Sequence, residues 1–199
     1  MMEISKYSAF ETLRSGHPVG IRALRPDDLA DLIAAVGRTS AQSLYRRFFG
    51  AKKSFSKKEV AFYLNIDFID HVALVVVAGD GGRPVIVGGG RYIVVQPGTA
   101  EVAFAVVDQY QGQGIGAALM RHLAAIARGA GLQELIAEVL PDNVPMLRVF
   151  EKGGFRLKRG SGSCTRRCGC SDRYIRSRAA RSRPSSVPGS GAWAGVQGG

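Results

Sequence analysis

The sequence predicts an α/β fold in which a mixed, mostly antiparallel and twisted sheet is flanked by helices. Two observations carry this prediction. Runs of β-branched residues and runs with helical periodicity follow one another between residues 18 and 158 in the order β-α-α-α-β-β-β-α-β-α. In addition, a glycine-rich stretch, VVDQYQGQGIGAALM (106–120), joins a predicted strand directly to a predicted helix. The length of 199 residues and the hydrophobic content of 46% are typical of one domain of ordinary size.

The first predicted elements are a strand and three helices. PVGIRAL (18–24) alternates as a strand does, and a proline followed by two aspartates then marks the start of a helix over LADLIAAV (29–36). A second helix is predicted over AQSLYRRFF (41–49). Ser56 and Glu59 stand at capping-box spacing, which predicts a third, short helix.

The remaining strands follow these helices. HVALVVVAG (71–79) and PVIVGGGRYIVVQ (84–96) are rich in β-branched residues and are separated by a glycine turn, which predicts an antiparallel hairpin. A third strand, AEVAFAVV (100–107), leads into the glycine-rich stretch. The last predicted elements are a helix from Ile115 closed by Gly129 and Gly131, a strand over 132–140 and a helix over 143–152.

The composition changes near Gly160, where aliphatic residues nearly vanish and Gly, Ser and Arg dominate. Such a segment cannot bury enough apolar area to offset its ordering entropy. We therefore predict an N-terminal extension (1–17), a folded domain (18–158) and a disordered tail (159–199). No closing strand of normal length is readable after residue 158, so we expect incomplete C-terminal strands. Two origins of the tail stay open, a selected basic arm or an out-of-frame reading of the gene's end.

The tail also carries much of the net charge of +11. Between residues 160 and 199, seven arginines stand against Asp172 alone, so seven minus one gives +6 for this segment. Arginines can neutralise phosphates, which makes nucleic acid a candidate partner of the tail. We expect low specificity from such an arm, because only Tyr174 and Trp193 are aromatic there.

Other features limit the class of protein. Cys164, Cys168 and Cys170 form C-x-x-x-C-x-C without a nearby histidine, a poor zinc pattern, and their odd number does not suit a disulfide framework. We expect reduced thiols and no metal. His71 and His122 lie in periodic runs and are expected to be surface or satisfied core histidines. No apolar run is long enough to span a bilayer and no signal peptide is readable, which favours a cytoplasmic location without a membrane partner.

The glycine-rich stretch has the character of an anion site. Glycines at a strand-to-helix junction let backbone N–H groups approach a ligand, and a helix N-terminus favours a phosphate. A Walker loop would need Lys followed by Ser or Thr, but two alanines follow Gly116. A dinucleotide fingerprint would need G-x-G-x-x-G, whereas Gly112, Gly114 and Gly116 form G-x-G-x-G. Neither nucleotide motif fits.

The pattern Gln111-x-x-Gly114-x-Gly116 resembles the pyrophosphate-binding signature Q/R-x-x-G-x-G/A of the GNAT acetyltransferases. The strand AEVAFAVV before it and the segment NVPMLRVFEKGGF (143–155) after it resemble the family's flanking segments in the family's order. The resemblance implies the GNAT fold. It also implies transfer of acetyl from acetyl-CoA, bound as a co-substrate, to a primary amine.

A further resemblance lies upstream. TSAQSLYRRFFG (39–50) and FSKKEVAFYLNIDFIDHVALVVV (55–77) are similar to the GNAT domain of bacterial protein lysine acetyltransferases. The whole resemblance covers about residues 18–158. It makes a protein lysine one candidate acceptor, while the same helices also occur in GNAT proteins with other substrates.

Acetyl transfer to an amine needs a base, because a lysine amine with a pKa of about 10.4 is mostly protonated near neutrality. Glu101 resembles the position of the catalytic glutamate in histone-type and bacterial protein acetyltransferases. Its alternative role is that of a solvated glutamate at a strand end. The backbone amide of Val107 resembles the family position that the sheet leaves unpaired, where it would stabilise the developing oxyanion.

The same resemblance implies which residues hold acetyl-CoA. The pantetheine is expected to pair with the end of the strand and the pyrophosphate to bind the glycine loop. Phe150 occupies the position where many members carry a tyrosine that protonates the leaving thiolate, and a phenyl ring cannot donate a proton. Asn143 has a helix N-cap as its alternative role. The complete set is Val106, Val107, Gln111, Gly112, Gln113, Gly114, Ile115, Gly116, Ala117, Asn143 and Phe150.

Two other functions are open from the sequence alone. The acceptor can be a small amine, such as a polyamine, an aminoglycoside or an amino acid. The domain can also be a non-catalytic acyl-CoA sensor, for which Phe150 is weak support. The sequence does not specify the acceptor, the proton donor to the thiolate or the oligomeric state.

Overall fold

The computed structural model describes residues 3–50, 55–80 and 83–155, and short strand segments at 164–167, 173–174 and 176–177. The α-helices in these residues are α1 (Leu29–Gly37), α2 (Ala41–Phe48), α3 (Lys57–Leu64), α4 (Ile115–Gly129) and α5 (Val144–Lys152). The strands are β1 (Ser8–Thr12), β2 (Pro18–Ala23), β3 (His71–Asp80), β4 (Arg83–Gln96), β5 (Thr99–Val106), β6 (Glu134–Val139), β7 (Cys164–Arg167), β8 (Arg173–Tyr174) and β9 (Arg176–Ser177).

The strands form one mixed sheet. Strands β1 to β8 lie side by side in chain order, and β9 pairs with β6. Neighbours from β1 to β5 are antiparallel, whereas β5 and β6 are parallel and are connected through α4. Every helix predicted from the sequence is present, and the predicted hairpin is the β3–β4 pair. The predicted α/β class with a mixed, mostly antiparallel sheet is confirmed.

Local sequence explains why the helices begin where they do. The predicted capping box precedes α3: the Ser56 amide donates to Glu59 Oε2 at 2.8 Å, and the Glu59 amide donates to Ser56 Oγ at 3.3 Å. Ser40 caps α2 by accepting from the Ser43 amide at 3.3 Å. These bonds satisfy N–H groups that the first turn of a helix leaves without partners.

The sheet separates two layers of helices. On one face, α4 and α5 pack against β5 and β6 around Leu119, Leu123 and Phe150, which are buried. On the other face, α1 to α3 cover β3, β4 and β5. Because successive side chains of a strand point to opposite faces, Val102 and Phe104 of β5 face α4, whereas Glu101 and Ala103 face the layer of α1 to α3.

Strand β1 was not predicted from the sequence. It lies in the predicted extension (1–17) and pairs antiparallel with β2 from Ser8↔Arg22 to Thr12↔Pro18. It is an edge strand, and one of its faces is open to solvent, where the Phe10 side chain is 86% exposed. Its five residues, SAFET, therefore lack the apolar alternation on which strand prediction depends.

The C-terminal segment also differs from its expectation where it is described. The sequence predicts no regular structure over 159–199, yet β7 pairs antiparallel with Glu134–Ala137 of β6, and β8 pairs with β7. Strand pairing uses backbone N–H and C=O groups, which composition does not reveal. The rest of the predicted tail, including Cys168, Cys170 and Trp193, lies outside the described residues.

Candidate active site

A cleft opens where β5 and β6 separate. The two strands pair only from Thr99↔Glu134 to Glu101↔Ile136, although β5 continues to Val106 and β6 to Val139. The gap has a volume of about 360 Å³ and is bounded by α2, the N-terminus of α4 and α5. Strand ends that diverge in this way leave backbone groups of β5 facing the gap.

The predicted glycine loop forms one wall of this cleft. Gly112 has φ of +74° and Gly114, the N-cap of α4, has φ of +102°. Residues with a Cβ avoid this region, so glycine lets the chain turn sharply from β5 into the helix. The turn aims the first amides of the 15-residue α4 at the cleft, together with the positive end of the helix dipole. An anion fits this arrangement.

Gln111 fixes the start of the loop. Its side-chain amide Nε2 donates to the Val106 carbonyl at 3.0 Å and to Ser43 Oγ at 3.1 Å. The Asp108 carboxylate accepts from the Ser43 hydroxyl at 2.8 Å and from the Ser40 amide at 2.6 Å. Partial burial acts to raise the pKa of Asp108, but the hydrogen bonds from Ser40 and Ser43 outweigh it and lower the pKa. Together these bonds hold α2 against the loop.

Glu101 lies on the cleft and is 4% exposed. It stands in β5 between Ile93 of β4 and Ile136 of β6, at the last pair before β5 and β6 separate. Arg47 of α2 lines the same cleft. Burial lowers the pKa of the Arg47 guanidinium, and the nearby Tyr63 and Glu101 oppose that shift. Glu101 is therefore a buried carboxylate with a guanidinium nearby, not a solvated residue at a strand end.

The predicted unpaired amide at Val107 is wrong. The Val107 amide donates to the Val87 carbonyl at 2.9 Å, so it is paired with β4, and Val107 is buried. Backbone groups alternate between the two edges of a strand, so the Val106 amide points to the opposite edge. That edge faces the gap, in agreement with the Val106 carbonyl accepting from Gln111. The sequence motif located the end of β5 correctly, but the predicted free amide was shifted by one residue.

The other predicted ligands divide into two groups. Gly112, Gly114, Gly116 and Ala117 line the cleft together with Gln111. Ile115 borders it too, but its side chain is 1% exposed and belongs to the core. Gln113 is not among the lining residues. Its Oε1 accepts from the Ser15 hydroxyl at 3.1 Å, and its carbonyl accepts from the Arg14 amide at 3.1 Å. Gln113 thus ties the loop to the β1–β2 turn.

Helix α5 supplies the opposite wall. Asn143 caps this helix, because its Oδ1 accepts from the Met146 amide at 3.4 Å, and it also lines the cleft. Phe150 is 2% exposed, with its ring centroid 5.6 Å from that of Phe104 and 4.8 Å from that of Phe155. Its main contacts are therefore with the core beneath the cleft.

Several cleft residues were not predicted from the sequence. They are basic side chains from three separate parts of the chain: Arg14, Arg46, Arg47, Arg148 and Lys152. Arg46 contacts Asp142 at 3.4 Å. The adjacent arginines in α2 were a possible signal, but Arg14 lies in the predicted extension and no local pattern marks it. Their positive charge suits a ligand that carries phosphates.

The two histidines are satisfied, as expected. His71 Nδ1 lies 3.1 Å from the Asn65 carbonyl, and Nε2 lies 3.0 Å from an Arg91 nitrogen. Burial, followed by the charge of Arg91, lowers the pKa of His71 to about 4. His122 hydrogen-bonds Tyr7 through Nδ1 and Glu11 Oε1 through Nε2 at 2.9 Å.

Within the part of the chain that is described, no helix has the length and apolar character needed to cross a bilayer.

Comparison with known proteins identifies the family. The model of the acetyltransferase (GNAT) family matches residues 38–155. This chain belongs to the GNAT family. Its members are acetyltransferases that generally depend on acetyl-CoA. The predicted resemblance to this family and the predicted GNAT fold are thereby confirmed.

Individual relatives refine this assignment. The chain is 34% identical over 144 residues to acetyltransferase Pat of Mycolicibacterium smegmatis, covering 71% of this chain and 42% of that protein. It is 33% identical over 126 residues to an acetyltransferase of Pseudomonas aeruginosa, covering 63% and 68%. The crystal structure of the GNAT domain of S. lividans PAT matches with a TM-score of 0.74 at 33% identity, covering 80% of this chain and 96% of that one. The chain thus spans less than half of the M. smegmatis protein.

The cleft fits acetyl-CoA in its chemistry. The glycine turn, with its positive φ angles, presents amides and a helix dipole to a diphosphate. The open edge of β5 offers backbone groups to a pantetheine, whose amides can pair as an added strand would. Basic side chains also line the cleft. The residues that would hold the co-substrate are Val106, Gln111, Gly112, Gly114, Gly116, Ala117 and Asn143.

Proposed function

We propose that this domain transfers the acetyl group of acetyl-CoA to the side-chain amine of a protein lysine, with Glu101 as the general base. The observation that carries the proposal is the position of Glu101. It is a nearly buried carboxylate on a cleft whose other wall is a phosphate-type glycine loop.

Glu101 is suited to move the proton. When bound, acetyl-CoA supplies an activated thioester carbonyl. Glu101 receives the proton that the lysine ammonium must lose before its nitrogen can attack. The Val106 amide, which faces the gap, donates a hydrogen bond to the oxygen on which negative charge develops. The Arg47 guanidinium interacts with the Glu101 carboxylate, and this attraction acts against the lowering of the Arg47 pKa by burial.

The leaving thiolate needs a different proton source from the usual tyrosine. Phe150 has no donor and is packed into the core. We infer that water entering the cleft protonates the thiolate. Because a thiol has a pKa of about 8.5, release of the thiolate itself costs little near neutrality, so the phenyl ring at position 150 does not prevent turnover.

The proposal of a protein lysine rests on the resemblance of segments 39–50 and 55–77 to bacterial protein lysine acetyltransferases, and two relatives support it. Pat of M. smegmatis and the GNAT domain of S. lividans PAT are identical to this chain at about a third of the aligned positions, which cover 71% and 80% of the chain. No observation favours a small amine or a sensor role over this reading. A cytoplasmic location, the domain boundaries at 17 and 158, and a nucleic-acid role for the tail stay predictions.

The acceptor can be identified directly. The full chain is incubated with isotope-labelled acetyl-CoA and either a protein extract or a panel of polyamines, aminoglycosides and amino acids. Mass spectrometry then locates the label. We expect labelled lysine side chains in proteins and none with Glu101→Gln beyond the uncatalysed background. Labelling confined to the small amines would contradict the proposal.

A further inference from the structure

The β1–β2 turn reaches across to the glycine loop. The Arg14 amide donates to the Gln113 carbonyl at 3.1 Å, and the Ser15 hydroxyl donates to Gln113 Oε1 at 3.1 Å. Leu13, the residue before Arg14, is 6% exposed and anchors the turn in the core. The turn is therefore held against the loop by backbone and neighbouring groups, without the Arg14 side chain.

The Arg14 side chain passes over the turn that would hold the phosphates. Its Cγ lies 3.9 Å from the point where a Cβ on Gly114 would stand, and it lines the cleft. The guanidinium is three bonds further along. Because Gly114 is the N-cap of α4, the Arg14 stem lies beside the positive end of the helix dipole, within reach of an anion held there.

The charge of Arg14 is not neutralised within the described part of the chain. Arg14 is exposed and makes no ion pair with any described residue. The nearest carboxylate in the same hairpin is that of Glu11, and it accepts from Arg121 at 2.8 Å and contacts His122 at 2.9 Å. The hairpin thus presents to the phosphate loop an arginine that has no counter-ion among the described residues.

We propose that Arg14 binds the diphosphate of acetyl-CoA, so that the segment before residue 18 forms part of the co-substrate site. A guanidinium donates two parallel hydrogen bonds to phosphate oxygens, which the backbone amides of the loop contact from the other side. This inference rests on the proposed function, because it takes acetyl-CoA as the ligand. It assigns a specific role to a residue outside the segment that the family model matches, residues 38–155.

Calorimetric titration of the full chain tests the assignment without measuring activity. Arg14→Ala and Arg14→Gln remove the charge but keep the amide that contacts Gln113. Arg128→Ala is the matched control, because Arg128 is an exposed arginine at the far end of α4. We expect a Kd for acetyl-CoA about tenfold higher in both Arg14 variants, the effect of one charge-assisted hydrogen bond. The control should stay within about twofold, as typical for surface changes.

Two further arms locate the contact. The loss should be the same with 3′-dephospho-CoA and CoA, since both carry the diphosphate, and it should shrink as salt screens the exposed charge. An unchanged Kd in the Arg14 variants would overturn the inference, as would a loss seen only when the 3′-phosphate is present. Absence of binding by the wild-type chain would instead overturn the proposed function, so the two failures are distinguishable.

Discussion

A substitution at Gly114 tests the role of the glycine loop. At this position the backbone needs a positive φ, but there is room for a Cβ, so the two reasons for a glycine can be distinguished. With φ of +102°, any residue carrying a Cβ is strained there. The nearest atom to an added Cβ is Arg14 Cγ at 3.9 Å, an ordinary contact, so Gly114→Ala introduces no clash. The cost is conformational and should be about 1–3 kcal/mol. For a domain of this size, that lowers Tm by roughly 2–12 °C at about 2–4 °C per kcal/mol.

Gly129→Ala is the control for this experiment. It lies at the other end of α4, has no positive φ, and its added Cβ meets no atom within 4 Å. Alanine there should stabilise the helix by up to about 1 kcal/mol. Thermal unfolding measures the change in stability of Gly114→Ala and of Gly129→Ala, and calorimetry measures the affinity for acetyl-CoA. Gly114→Glu should also abolish binding by repelling the diphosphate. Wild-type stability in Gly114→Ala, with unaltered acetyl-CoA binding in Gly114→Glu, would refute the account of the loop.

Three other predictions follow from the site. Ser43→Ala removes the hydroxyl contacts to Gln111 and Asp108. It should raise the KM for acetyl-CoA several-fold in steady-state assays, because α2 then holds the loop less firmly. An unchanged KM would show that α2 does not support the loop. Asp108 has a lowered pKa in the folded protein, so its ionised carboxylate stabilises the fold. This stabilisation is complete above the unfolded pKa of about 3.8 and is lost as pH falls through the lower folded pKa, so the free energies of unfolding of wild type and Asp108→Asn should converge in that acidic range. A difference that stays constant with pH in chemical unfolding would contradict the lowered pKa of Asp108. Phe150→Ala should cost about 3–5 kcal/mol in urea unfolding, and a cost below about 1 kcal/mol would mean that the ring is not core.

Local patterns account for what could be predicted from the sequence. Helix periodicity, the Ser56 cap and the glycine turn are set by residues close together in the chain, and the structure has all of them. Glu101 could be singled out because the family motif follows it at a known distance. The burial of Glu101 between Ile93 and Ile136 could not be predicted, because it depends on strands from three parts of the chain.

The missed features depend on pairing across long sequence distances. Arg14 contacts a loop that lies about 100 residues later in the chain. It is brought there by β1, whose sequence lacks the alternation of apolar and polar residues that would predict a strand. The error at Val107 has the same origin: a one-residue shift in register reverses the edge to which an amide points. Gln113 fits the motif by position, yet its side chain turns to Ser15 because the hairpin supplies a partner there.

Single-turnover acetyl transfer to a lysine-containing protein tests most directly whether Glu101 moves the proton. Glu101→Gln keeps the shape of the side chain but cannot accept a proton, and Glu151→Gln, on the exposed surface of α5, is the control. We expect the Glu101 variant to bind acetyl-CoA within about twofold of wild type while its transfer rate falls about 10²–10⁴-fold. A transfer rate close to that of wild type, with binding intact, would contradict the account.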